Sequence, residues 1–155
     1  MLAATVVLRS WLGGQMAFPW KTGWLTLAVV LCVAGGKALG GILGDRMGWL
    51  NTAGITLFLA ALCFFSSFEV PGTGLAGALL FNTTMPITLG ALARLLGADN
   101  CGLAFGITTF SIFVGLIPDF LTLPEWVSSP LILGLGAFLS LLLLLGGLTL
   151  EEKSR

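Results

Sequence analysis

Few residues in this chain could do chemistry, and they sit in unusual places. Arg9 lies inside an apolar run, "VVLRSWLGG", with Ser10 and Gln15 close behind it. Asn82, Thr83, Thr84 and Thr88 cluster around Pro86 in a second apolar run. Lys37 and the pair Asp45–Arg46 fall within a stripe in which Gly36, Gly40, Gly44 and Gly48 recur every fourth residue. Histidine is absent, which removes the commonest general base and metal ligand. The three cysteines, Cys32, Cys63 and Cys101, show no CxxC spacing, so neither a disulfide framework nor a metal site is expected. Membrane-embedded hydrolysis needs a Ser–His pair, an acid pair or a metal, and no carboxylate falls inside an apolar run. The reading is therefore not an enzyme, with no cofactor. What remains is polar recognition: a cation at depth, amides and hydroxyls.

The elements that position these groups follow from the solvent the composition demands. The 155 residues are 57% hydrophobic and 9% charged, with mean hydropathy +1.05 and zero net charge. A soluble domain of this size needs far more charge to cover its surface. Nothing basic enough for nucleic acid or a polybasic lipid anchor is present. A bilayer-spanning helix takes roughly 20 apolar residues, and the long unbroken runs lack the alternation of a barrel strand. An all-α integral membrane protein with six spans is predicted, near 1–20, 23–43, 50–68, 73–96, 102–121 and 130–150, as one domain over 1–150 with a tail at 151–155. If the first segment, which carries Arg9, does not cross, five spans remain. The opening residues lack the basic n-region and cleavage site of a signal peptide.

Short-loop charges set the orientation. Arg46, Arg94, Lys153 and Arg155 fall on one side, and Lys21 alone on the other with Glu69, Asp119 and Glu125. The positive-inside rule then puts both termini in the cytoplasm, and Trp20, Trp24, Trp49 and Trp126 near span ends. An arginine near the bilayer centre costs roughly 2.5–3.5 kcal/mol on insertion scales, so Arg9 is expected either to face a polar cavity or to snorkel to the interface. The polarity gradient predicts that spans 1 and 4 line an interior while spans 3 and 6 face lipid. The expected substrate cavity comprises Arg9, Gln15, Asn82, Thr83 and Thr84, although each hydroxyl has an alternative in bonding back to its own helix. For Lys37 the favoured expectation is a stem reaching cytoplasmic headgroups.

Glycine at every fourth position opens a groove that lets another backbone approach closely. The stripe Gly36, Gly40, Gly44 runs into "GILGDRMGWL", Gly41 to Leu50. This resembles the signature loop of the major facilitator superfamily, G-x-x-x-D-(R/K)-x-G-(R/K)-(R/K), through Gly41, Asp45, Arg46 and Gly48; Trp49-Leu50 replaces the closing basic pair, as is usual for that family's second copy. "VVLRSWLGGQMAFPW" also resembles the seventh helix of its fosmidomycin-resistance-like efflux branch. The resemblance implies the C-terminal six-helix half of a transporter in the plasma (inner) membrane. It implies alternating access for a small solute or drug, and an Asp45–Arg46 gating loop acting as a latch. It also implies a partner, either an N-terminal six-helix half or a second copy. Proton coupling needs a group that titrates within the membrane; all acids here map to loops or termini, so the chain alone is not expected to perform coupled transport. The rival expectation is a non-transporting assembly or regulatory protein docking through its GxxxG faces.

Overall fold

A computed structural model describes residues 1–120 and 125–153, except the side chains of residues 98, 119, 125, 126 and 151–153. The residues 121–124, 154 and 155, including the end of the tail, lie outside the described residues. Everything regular among the described residues is helical: α1 (Leu2–Gly14), α2 (Trp24–Met47), α3 (Trp49–Phe65), α4 (Pro71–Asn82), α5 (Met85–Leu96), α6 (Cys101–Leu116) and α7 (Pro130–Lys153), with short 3-10 turns beside α6 and α7.

Three segments are long and apolar enough to cross a bilayer: Trp24–Met47, Pro71–Leu96 and Pro130–Leu150. The expected first, third and fifth spans form helices of 13, 17 and 16 residues, shorter than the roughly 20 residues that cross unaided. For α1 the reason is local. Its helix stops at the Gly13-Gly14 pair, and residues 15–23 run through turns containing Pro19.

The fourth apolar run is broken in the middle. Pro86 has no N–H to donate to the carbonyl of Asn82, so the hydrogen-bond ladder lapses there, and Thr83 and Thr84 form a turn between α4 and α5. Both threonines are fully buried and spend their hydroxyls on nearby carbonyls, Thr83 on Leu80 at 2.6 Å and Thr84 on Phe81 at 3.2 Å.

Taking α4 and α5 as one broken segment, consecutive segments run alternately up and down. Trp20 Nε1 donates to the Ser67 carbonyl at 2.6 Å, Phe18 packs edge-on against Phe68, and Ser128 Oγ donates to Gln15 Oε1 at 2.9 Å. Those contacts gather residues 15–23, 66–70 and 128 at one end. Trp49 meets Arg94 and Met1 meets Gly146 at the other. The segregation of basic residues read from the sequence therefore has two real ends to refer to.

The core lies between α1, α3, α4 and α7, where Leu12, Leu57, Phe64, Phe81, Leu133 and Leu144 are buried. α3 and α7 pack chiefly against each other, and only their outer faces, with Phe58, Leu62, Leu135 and Leu142, are exposed. The least covered long helix is α2, with 22% of its most apolar window buried against 50% for the segment Pro130–Leu150. Hydropathy alone does not say how far each helix is covered, because an apolar face suits lipid and a dry core equally.

Candidate functional site

Glycines fix how α2 meets the broken segment. A Cβ on Gly36 would collide with the Leu79 carbonyl, and one on Gly40 with the backbone of Thr83. Gly44, a turn further on, lies against Ile87 and Trp49. The stripe is therefore consumed inside the chain, seating α2 on α4 and α5 at their break. Gly41 and Gly48 lie off that contact, with open space where a Cβ would be. The GxxxG face on α2 that the docking alternative would use is thus already covered.

Beside this contact lies a cavity of about 400 Å³. Its walls come from α1 (Val6, Arg9, Ser10), α2 (Thr26, Val29, Val33, Lys37), the α4–α5 break (Phe81, Asn82, Met85) and Ile112 of α6. Arg9 and Asn82, expected on the two most polar segments, line it together. Gln15, Thr83 and Thr84 do not. Gln15 is buried at the end of the bundle, accepting from Ser128, while the two threonines close the turn behind the cavity wall. The same back-bonding accounts for Thr56, Thr88 and Thr108. A hydroxyl that cannot find water in an apolar interior is most simply satisfied by a carbonyl one turn back.

Arg9 is 5% exposed and does not snorkel. Its Nη2 donates to the Phe81 carbonyl, and the guanidinium carbon lies 4.7 Å from the Phe81 ring centroid. Nε and Nη1 are buried with no partner among the described residues. The broken segment makes this possible: Phe81 sits in the last turn of α4, where helical carbonyls begin to lack intrahelical donors. Phe81 is a site residue that the sequence reading missed. The one signal for it is its position just upstream of Pro86, where an interrupted helix leaves carbonyls short of donors.

Lys37, expected to send its stem to the headgroups, is exposed on α2. It is at mid-helix, 13 residues after Trp24 and ten before Met47, on the cavity wall. The helix outlasts the expected span because Asp45 and Arg46 form its last turn rather than a loop. The turn that ends it is Gly48, whose φ of 83° and ψ of 152° suit glycine alone. Lys21 also lines the cavity, its Nζ 3.5 Å from the Met16 carbonyl.

Asp45 and Arg46 are exposed and form no ion pair among the described residues. Arg46 suits the negative end of the α2 dipole and Asp45 opposes it. Next to them Trp49, standing where the resembled motif has a basic residue, packs against Gly44 and Gly90 and lies under the Arg94 guanidinium, 3.5 Å from ring centroid to guanidinium carbon. That clamp ties α2, α3 and α5 together at one end.

No family model matches this chain, and no curated protein or solved structure is significantly similar to it. Fold and composition define its class: an all-helical protein with apolar helices suited to a membrane.

Proposed function

We propose that this chain forms half of a membrane transporter of the major facilitator type, carrying a small solute by alternating access. The observation that carries the reading is the cavity beside the α4–α5 break, which holds a buried, under-partnered Arg9. Groups of that kind at depth mark solute pathways because their cost is otherwise unrecovered. The flanking helices support it: α2 exposes Leu27, Val30 and Leu31, and α6 exposes Phe105, Phe110 and Phe113. Those faces offer a second six-helix body, from another half or a second copy, a place to dock across the cavity. In this reading both termini are cytoplasmic in the plasma membrane. The end bearing Asp45 and Arg46 then meets the second body in only one of two states, which biases the equilibrium between them.

The test is solute counterflow. The chain, extracted in mild detergent with whatever it assembles with, is reconstituted into liposomes preloaded with unlabelled organic anions, cations or neutral solutes. Labelled solute of one class is expected to accumulate transiently. Folded protein that gives no counterflow for any class overturns the transporter reading.

A further inference from the structure

We infer that the cavity selects an amphipathic anion, a negatively charged head on an apolar body. The inference rests on the reading of this cavity as the solute site and names the class of solute.

Three cationic side chains, Arg9, Lys21 and Lys37, line the cavity, and among the described residues no aspartate or glutamate joins them. Arg9 is the deepest of them. A guanidinium has five N–H donors, and the carbonyl of Phe81 is the acceptor it has found. Nε and Nη1 are left buried without a partner among the described residues, which in an apolar setting is a standing cost. The Phe81 ring offers the weak attraction of a π face and no counter-charge.

Lys37 converges on the same level. Its neighbour Gly36 lies against Leu79 and Asn82, one residue from the Phe81 carbonyl that Arg9 reaches. An anionic head between Arg9 and Lys37 therefore satisfies donors that are otherwise unpaired and neutralises charge at depth. A cation placed there meets like charges, with no carboxylate among the described lining residues to offset them. Apart from Ser10, Thr26 and Asn82, the remaining wall is apolar, with Val6, Val29, Val33, Met85 and Ile112. That suits an apolar body, and about 400 Å³ is room for a small organic molecule. Either a soluble organic anion or the headgroup region of an anionic lipid has this chemistry.

Binding of 1-naphthoate and its neutral isostere 1-naphthamide to the purified chain in phosphatidylcholine nanodiscs tests the inference. Naphthoate is expected to bind about tenfold tighter or more, the worth of one charge-assisted hydrogen bond. Lys37→Met, on an exposed stretch of wall where folding is not at stake, is expected to erode that preference; Arg9→Met is expected to abolish it. Adding phosphatidylglycerol weakens naphthoate binding if a lipid headgroup is the natural occupant, and leaves it unchanged if a soluble anion is. Equal binding of the two probes, or a preference that survives both substitutions, overturns the inference. Naphthoate binding without counterflow removes the transporter reading and keeps the anion site. Counterflow of cations or neutral solutes alone does the reverse.

Discussion

Gly40 of α2 and Thr83, in the turn between α4 and α5, meet backbone to backbone, so closely that any Cβ on Gly40 would strike the Thr83 carbonyl. Gly40→Ala is expected to destabilise the chain by about 1–3 kcal/mol, the usual range for overpacking a tight contact. Gly41→Ala, one residue away and facing open space, is the control. Thermal unfolding in detergent should separate the two, and equal midpoints would show that α2 does not seat on the break.

A second prediction concerns the single-residue turns. Gly48 and Gly97 adopt nearly the same backbone, φ 83° and ψ 152° against φ 86° and ψ 154°. Each ends a helix and turns the chain into the next. Alanine at either position is expected to cost about 1–3 kcal/mol of strain, although neither glycine has a neighbour that a Cβ would touch. An unchanged unfolding midpoint for both alanine variants would be evidence against these turns.

The Arg94–Trp49 clamp is open to a double-mutant cycle. An exposed cation–π pair is worth about 0.5–1 kcal/mol, so Arg94→Gln and Trp49→Leu should be non-additive by that amount. Trp49→Leu also removes packing against Gly90 and Gly44, and is expected to cost more on its own than Arg94→Gln. Strict additivity would mean that the stacked arrangement contributes nothing.

Orientation can be read from thiols. Cys101 is exposed beside the Asp99 turn, and Thr22 is exposed at the opposite end of the bundle. With Cys32 and Cys63 replaced by serine, an impermeant maleimide on intact cells should label Thr22→Cys. Cys101 should react only after permeabilisation. The opposite pattern would invert the proposed topology.

Membrane character was legible in composition, because a chain with 9% charged residues cannot clothe itself in water. The glycine spacing declared a close helix contact, since a bare helix face has little other use in an apolar setting. Arg9 announced itself by cost alone. Sequence could not say what each feature would meet. The stripe found the α4–α5 break within its own chain, and Thr83 and Thr84 turned their hydroxyls onto carbonyls instead of the cavity. The charged pair Asp45–Arg46 reads as a loop in the sequence, yet the helix runs on through it until Gly48, which puts Lys37 at mid-helix. That the apolar helices α3 and α7 pack against each other on their inner faces could not be read from hydropathy. Hydropathy and spacing are local quantities and were determined along the chain. Which carbonyl Arg9 reaches, and which cations share its cavity, depends on residues far apart in the chain meeting in space. Only the tertiary fold decides that, because in an apolar interior each polar group is satisfied by whichever partner the packing brings within reach.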